Sequence, residues 1–189
     1  MVPAGITERL LLRPLEIGDA AQIQQVFPQW EIVRYLLNVV PWPYPADGAY
    51  EHLSKVALPA IERGEQWVWT LRLKTAPDDI IGVINLRRGE EDNRGFWLEP
   101  ACQGRGLMSE ACAWANDFWF ETLQFPVLRV AKSVANLASR RISEKQGMRK
   151  VGMCEKDYVS GRTASEIWEI TADEWRAWKA RNGAPIAIR

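Results

Sequence analysis

Two glycines separated by a single arginine mark the segment whose residue types and spacing best suit chemistry. The segment Gln103-Gly104-Arg105-Gly106-Leu107-Met108 follows the apolar run Gly95-Phe96-Trp97-Leu98 and precedes a helical pattern. Glycine carries no Cβ, so backbone amides can approach a diphosphate closely, and a helix N-terminus presents unpaired N–H groups and partial positive charge. Arg105 adds a side-chain cation. The segment therefore indicates a binding loop for a phosphorylated ligand, with a tight strand–helix turn as the alternative.

Two familiar nucleotide-binding loops do not fit this segment. A P-loop requires a glycine followed by lysine and then serine or threonine, and the chain contains no Gly-Lys pair. A Rossmann loop requires a third glycine, where this chain has Ser109. The phosphorylated ligand is therefore expected to bind a loop of another type.

Three segments of the chain resemble motifs of one enzyme family. Glu99-Pro100-x-x-Gln103-Gly104-Arg105-Gly106-Leu107-Met108-Ser109-Glu110-Ala111 resembles the acetyl-CoA loop of the GNAT N-acetyltransferases, most closely the RimJ/RimL ribosomal-protein branch. Thr7 to Leu15 resembles the opening strand of that branch, and Asn136 to Met148 resembles its second signature, Asn-x-x-Ser…Glu-Lys-x-Gly-Phe. The loop departs from the family pattern at Met108, where a small residue is usual and a long side chain would crowd the pantetheine arm.

The resemblance implies a fold, a co-substrate and a set of contact residues. The implied fold is α+β, the acyl-CoA N-acyltransferase (GNAT) fold: a central, mixed, mostly antiparallel twisted sheet with a splayed parallel strand pair, flanked by helices. The implied co-substrate is acetyl-CoA, whose pantetheine arm enters the splay and pairs with the backbone near Phe96; no metal is implied. The residues implied to contact acetyl-CoA are Phe96, Trp97, Leu98, Gln103, Gly104, Arg105, Gly106, Leu107, Met108, Ser109, Asn136, Ser139 and Lys145.

The resemblance also implies that an amine attacks the acetyl thioester directly, without a covalent enzyme intermediate. Ser139 matches the serine that donates a proton to the leaving thiolate in the RimL-like branch. Many other GNAT enzymes use a tyrosine four residues later, where this chain has Ser143. Asn136 and Ser139 also suit the N-terminal cap of a helix, and capping is compatible with contact to the co-substrate.

The residue that accepts the proton of the amine is left open between several groups. Asp157 lies roughly where the RimL-like branch carries an acid and is the preferred base. Glu110 is the second candidate, although a carboxylate there also favours the helix dipole. The acidic run 90–92 is expected to be a solvated hairpin tip, and a bound water is the remaining alternative.

Acceptor recognition is expected in a proline-rich aromatic loop over residues 38–47. Trp42 and Tyr44 are predicted to cover a peptide N-terminus or a small-molecule amine there. The other aromatic residues have a simpler interpretation, because bulky aromatics commonly fill a core. Trp67, Trp69 and Trp168 are expected in that class.

Alternating strand and helix patterns predict the elements that position these residues. Strands are predicted at residues 10–14, 66–73, 80–86, 95–98, 128–134, 151–159 and 165–171. Helices are predicted after a cap at residues 18–19 and at 31–37, 50–63, 107–123 and 139–146, with a last helix capped by Thr171 or Asp173. Pro59 is expected to break or kink the helix over 50–63. The whole chain, residues 1–189, is predicted to be one domain.

Composition excludes several other classes of protein. Lys+Arg and Asp+Glu balance at 24 each, which gives no global electrostatic argument for DNA or an anionic membrane as partner. No apolar stretch is long enough for a membrane helix. Three cysteines without a CxxC pair fit a reducing, cytoplasmic location and no metal site, and a single histidine removes most histidine-dependent catalysis. The alternative functions are a catalytically silent acyl-CoA sensor and a dimerisation domain, and a homodimer is compatible with either.

Overall fold

The computed structural model describes residues 2–183. Within that range the helices are α1 (Ala20–Val26), α2 (Trp30–Val33), α3 (Gly48–His52), α4 (Leu58–Glu62), α5 (Leu107–Asp117), α6 (Leu137–Lys145) and α7 (Ala172–Asn182). The strands are β1 (Gly5–Ile6), β2 (Leu10–Pro14), β3 (Gln66–Leu73), β4 (Gly82–Arg87), β5 (Arg94–Leu98), β6 (Val127–Ser133), β7 (Arg149–Tyr158) and β8 (Gly161–Thr171). The predicted single domain over residues 1–189 stays a prediction, and its two ends lie outside the described residues.

The described strands form two antiparallel sheets. Sheet A has five strands in the order β1-β2-β3-β4-β5, and sheet B has three in the order β6-β8-β7. Each neighbouring pair within a sheet is antiparallel. The adjacent edges of the two sheets are β5 and β6, which do not form a ladder with each other in the described chain.

The strands β5 and β6 meet at one end and separate at the other. The amide of Asn93 donates to the carbonyl oxygen of Arg129 at 2.8 Å, and the amide of Arg129 donates back to Asn93 Oδ1 at 2.7 Å. Further along, no backbone hydrogen bond joins β5 to β6 within the described residues, and the Phe96 ring centroid lies 5.5 Å from Lys132 Nζ. The two strands therefore run in the same direction with a cleft opening between them, and the predicted fold class with its splayed parallel pair is confirmed.

Sheet A separates two apolar cores. The larger core packs α5 against the sheets and contains fully buried aromatics such as Trp69, Trp114 and Phe118. The smaller core lies under α1 to α4 and takes Val68 and Ile80 from the sheet side. Trp67, Trp69 and Trp168 are all buried in the larger core, as expected from the sequence.

Two helix predictions needed correction. The helix predicted over 31–37 is wrong beyond Val33, because the following backbone pairs with the β7–β8 hairpin instead: the Asn38 amide donates to the Asp157 carbonyl at 3.0 Å. Over 48–62 the helical path continues through a π-helical turn, Leu53–Ala57. That wider turn lies immediately before Pro59, which has no amide hydrogen to donate, so the chain stays helical rather than breaking.

Candidate active site

The glycine loop has the backbone geometry that its sequence predicts. Gly104 and Gly106 have φ of 73° and 78°, in the left-handed region that side chains other than glycine rarely adopt. Gly106 is the N-cap of α5, and the first amide to bond back is that of Glu110, to the Gly106 carbonyl at 3.1 Å. The amides of residues 107–109 have no backbone acceptor within the described chain. The start of α5 therefore has three amides that are left without a backbone acceptor.

Long-range contacts hold the loop in place. Gln103 Nε2 donates to the Leu98 carbonyl at 2.9 Å, so its side chain fixes the loop to the end of β5. Arg9 Nη1 donates to the Arg105 carbonyl at 2.8 Å, and Nη2 lies 3.4 Å from the Cβ position of Gly106. Arg9 thus adds a second cation to the loop beside Arg105. Sequence reasoning missed this role, because Arg9 is remote in the chain and lies in what reads as an ordinary strand.

Glu110 connects the loop region to the start of sheet A. Its carboxylate accepts from the Arg9 amide at 2.8 Å, from Arg9 Nε at 2.7 Å and from the Thr7 hydroxyl. Burial alone would raise the pKa of Glu110, but the hydrogen bonds from Thr7 and Arg9 outweigh it and lower the pKa. A carboxylate that three donors hold in its ionised form links α5 to the start of sheet A.

Leu107 and Met108 contribute backbone rather than side chains to the loop. Both side chains are buried in the larger core. The long side chain of Met108 therefore lies in the larger core, and its effect on the pantetheine arm stays a prediction. Ser109 is half-buried, and its carbonyl accepts from Gln146 Nε2 at 3.2 Å, which ties α5 to the end of α6.

The two faces of β5 serve different cores. Leu98 is buried in the larger core and Phe96 packs against it. Trp97 points to the other side, where its ring lies 5.3 Å from that of Phe27. Among residues 2–183, β4 is the only strand that pairs with β5, so the backbone of β5 on the β6 side has no strand partner there that would exclude a ligand.

Ser139 and Asn136 lie on the opposite side of the cleft, at the start of α6. Asn136 is the N-cap, and its side chain accepts from the Ser139 amide at 3.2 Å. The Ser139 side chain is buried, and its Oγ accepts from Lys132 Nζ at 2.7 Å. Asn136 therefore has the capping geometry that its position predicts, and this cap orients Ser139.

Lys132 is the functional candidate that sequence reasoning missed. It is buried on β6, on the face it shares with Leu128 and Val130. Burial, with the nearby charge of Arg94, lowers the pKa of Lys132 to about 7, although Cys112 and Asp92 act in the opposite direction. The sequence did carry one signal for Lys132: it is a lysine at a position of β6 where the alternation of buried and exposed residues predicts an apolar side chain.

Comparison with known proteins settles the family. A family model described as an acetyltransferase (GNAT) domain matches residues 9–149. The chain belongs to this family. "Probable N-acetyltransferase YjcK" of Bacillus subtilis is 27% identical over 174 residues, which cover 85% of this chain and 89% of that protein. The chain is thus that of an acetyltransferase enzyme.

Solved structures of GNAT enzymes share the fold. Mycobacterium smegmatis RimJ in complex with CoA-disulfide superposes with a TM-score of 0.80 over 100% of both chains, at 17% identity. RimL, a ribosomal L7/L12 α-N-protein acetyltransferase in complex with CoA, gives 0.76 over 90% of this chain and 98% of that chain, at 15% identity. At these identities the likeness is one of fold.

The acidic candidates of this GNAT domain lie in different surroundings. Asp157 is on the outer side of β7, its side chain is 52% exposed, and it pairs with Arg162 at 3.4 Å. The structure does not bring Asp157 together with Ser139. Asp92 differs from the solvated tip that was expected, and that expectation is wrong for this residue: its carboxylate accepts from the Ala131 amide at 3.1 Å and pairs with Lys156.

The predicted acceptor residues separate into one exposed and one packed aromatic. Trp42 is 42% exposed, and its ring lies 5.9 Å from that of Trp30. Tyr44 packs edge-on against Phe27 at 5.0 Å and belongs to the smaller core. Lys145 is exposed at the end of α6, where its carbonyl accepts from an indole N–H of α7.

Across residues 2–183, no group of three or more His, Cys, Asp or Glu side chains is arranged to hold a metal ion. Within the same part of the chain, no helix has the length and apolar character needed to span a bilayer.

Proposed function

We propose that this acetyltransferase moves an acetyl group from acetyl-CoA to a primary amine, by direct attack in a ternary complex. The observation that carries the proposal is the cleft between β5 and β6. Free amides and two arginines lie at the start of α5, an unpaired strand edge forms one side, and the Ser139 hydroxyl lies on the other. Each feature matches one part of such a donor: the diphosphate, the amide-bearing arm and the sulfur.

The loop residues suit a diphosphate. Space is open around Gly104, where no heavy atom lies within 4 Å of a Cβ position, so a phosphate can approach its backbone. The free amides of residues 107–109 would donate to it, and Arg9 and Arg105 would neutralise its charge. Gln103 acts by holding the loop against Leu98.

The residues of the cleft suit the departure of a thiolate. Ser139 is proposed to donate its hydroxyl proton to the sulfur as the C–S bond breaks, with Asn136 orienting it through the helix cap. Of the predicted bases, Asp157 is exposed and paired with Arg162, and Glu110 is held by Thr7 and Arg9. We therefore propose that the amine loses its proton to water.

The acceptor is proposed to be the N-terminal amine of a peptide, with small-molecule amines as the alternative. Support comes from Trp30 and Trp42, an exposed aromatic pair beside the smaller core. The two rings offer an apolar surface to an acceptor peptide that carries few charges. Further support is that the fold neighbour RimL is named as an acetyltransferase of ribosomal L7/L12 α-amines. A cytoplasmic location, the absence of DNA and membrane partners, and a homodimer stay predictions.

Two measurements test the proposal. Calorimetric titration with acetyl-CoA should show saturable binding, and thiol release should then appear with one class of amine in a panel of N-terminal peptides, amino sugars and polyamines. The same peptides with blocked N-termini are the control and should release no thiol. Failure to bind acetyl-CoA would overturn the proposal, whereas binding without turnover on any amine would favour the acyl-CoA sensor.

A further inference from the structure

Lys132 is a buried cation without an anionic partner. Its Nζ donates to Ser139 Oγ at 2.7 Å, and across residues 2–183 no carboxylate oxygen lies within ion-pair distance of it. The buried Arg94 of β5 lies near it and donates to uncharged acceptors, Asn116 Oδ1 at 2.5 Å, Gln146 Oε1 at 3.0 Å and Met148 Sδ at 3.9 Å. Within the described residues, the inner end of the cleft thus contains two cations, neither of which forms an ion pair with a carboxylate.

The carboxylates nearest in the fold are committed to other partners. Glu166 is directly opposite Lys132 in the β6–β8 ladder, but its oxygens accept from Trp168 Nε1 at 3.1 Å and pair with Arg140 at 2.8 Å and Lys150 at 3.4 Å. Asp92, before β5, pairs with Lys156. The carboxylates around Lys132 are therefore already neutralised.

The remaining neighbours of Lys132 are uncharged. Cys112 of α5 is fully buried, and burial raises the pKa of its thiol, so it stays protonated near neutral pH. The Phe96 ring of β5 faces the ammonium group at 5.5 Å. An unpaired ammonium in such surroundings loses its proton readily or attracts an anion that enters the cleft. The pKa of Lys132, about 7, reflects how strongly these surroundings disfavour the charged form.

The Lys132–Ser139 hydrogen bond has a defined direction when the lysine is charged. An ammonium group has donors and no acceptor, so Ser139 Oγ must be the acceptor. The hydroxyl hydrogen of Ser139 is then free to point elsewhere, and no other acceptor for it lies within reach in the described chain. A proton can thus pass in one direction, from Lys132 Nζ to Ser139 Oγ and from the Ser139 hydroxyl to a group in the cleft.

We infer that Lys132 supplies, through Ser139, the proton that the departing CoA thiolate receives. As the amine nitrogen bonds to the acetyl carbon and the C–S bond breaks, sulfur takes the electron pair and the Ser139 proton, and Ser139 takes a proton from Lys132. The proton that the amine releases to water restores Lys132. Lys132 acts through another side chain and is a positioning residue. The inference rests on the proposed function.

Protonation of Lys132 should couple to co-substrate binding, which gives a readout independent of turnover. A polyanion in the cleft favours the charged lysine, so binding near pH 7.5, about half a unit above the free pKa, should take up protons. Titration calorimetry in two buffers of different ionisation enthalpy measures that uptake. Ionisation of the acetyl-CoA phosphates contributes equally in every variant and cancels in the comparison.

The variants are Lys132→Met, Lys132→Arg and the control Lys74→Met, which removes an exposed lysine directly after β3. Lys132→Met should lose the proton uptake and reduce kcat by a factor on the order of 100, the usual contribution of a general acid. It should also lose the alkaline fall of kcat, which in the wild type follows deprotonation of Lys132. Lys132→Arg keeps a hydrogen-bonding cation, but a guanidinium does not release its proton, so this variant should also lose the proton uptake and the alkaline fall and should keep a kcat near that of Lys132→Met. Ser139→Ala should keep the uptake and lose the turnover.

The outcomes separate this inference from the function on which it rests. Equal proton uptake and an equal pH profile in wild type and Lys132→Met would overturn the role of Lys132 while leaving the transferase intact. Absence of acetyl-CoA binding by the wild type would instead overturn the proposed function. Replacing a buried charge by methionine is expected to preserve folding, and Lys132→Arg provides the same pH test if methionine does not.

Discussion

Replacement of Glu110 by glutamine tests the proposed construction of the binding loop. The change keeps the size of the side chain and removes its charge, so the bonds from Thr7, the Arg9 amide and Arg9 Nε are weakened together. Arg9 then loses the contact that holds its guanidinium over Gly106. We expect a less stable protein that binds acetyl-CoA more weakly, with turnover at saturation unchanged.

The magnitude follows from the burial of each partner. Hydrogen bonds to a charged group contribute about 1.5–3 kcal/mol each, but glutamine keeps an oxygen that can still accept from part of the set. The Arg9 side chain is 44% exposed and that of Glu110 14%, so solvent screens the ion pair to about 1 kcal/mol or less. The expected loss is about 2 kcal/mol, which lowers Tm by roughly 4–8 °C for a chain of this size.

Thermal unfolding as a function of pH is the assay. The pKa of Glu110 is lowered in the folded state. Ionised Glu110 therefore adds to the free energy of unfolding at pH values above 4.5, the ordinary pKa of the group, and this addition is lost as pH falls through the folded-state pKa. The Tm difference between wild type and Glu110→Gln should be constant near neutral pH and shrink in acid. Glu121→Gln is the control, because that 39% exposed carboxylate pairs with Arg176 at 3.3 Å in solvent. Its effect should stay below about 0.5 kcal/mol.

Two results would refute the structural assignment of Glu110. A Tm loss no larger than that of Glu121→Gln would show that the three bonds do not stabilise the fold. A fall of kcat by about a hundredfold at saturating substrates, with Tm and acetyl-CoA affinity retained, would identify Glu110 as the base.

Three further substitutions test other parts of the site. Gly106→Val should weaken acetyl-CoA binding roughly tenfold or more by calorimetry, because it strains the loop and covers its amides; Gly64→Val, at φ 70° after α4, should cost similar stability without affecting binding. Asn136→Ala should lower stability by about 1 kcal/mol in thermal melts through loss of the α6 cap, and an unchanged Tm would contradict the capping role. Asp157→Asn should leave kcat/KM within about twofold, whereas a loss on the order of 100-fold would restore Asp157 as the base.

Local patterns allowed prediction of most elements and of the loop. The glycine loop, the α6 cap and the strands on either side of them depend on residues close in sequence, so their types and spacing carry the information. The capping box at Thr171, where Glu174 reaches back to the same residue, has the same origin and marks the start of α7 as predicted.

The contacts that complete the site depend on tertiary structure and were not predictable in that way. Arg9 reaches Glu110 across 101 residues, and Lys132 receives its environment from β5 and α5. The preference for Asp157 depended on approximate position in a strand. Successive residues of a strand face opposite sides of the sheet, so an error of one residue in a predicted position exchanges an exposed side chain for a buried one. Here Asp157 faces solvent, whereas Tyr158 is buried and its hydroxyl lies 2.6 Å from Ser165 Oγ.

The separation of the two cores by sheet A has a consequence for how this enzyme can change. The donor side is built on the larger core, which contains α5 and most of the buried tryptophans. Helices α1 to α4 rest on the smaller core and meet the β7–β8 hairpin through a few backbone bonds near Leu37 and Tyr158. Substitutions in this layer change a core that is distinct from the one that contains α5. If the proposed sites are right, the layer assigned to the acceptor can therefore accumulate mutations and exchange one specificity for another while the packing under the proposed acyl-donor loop is preserved.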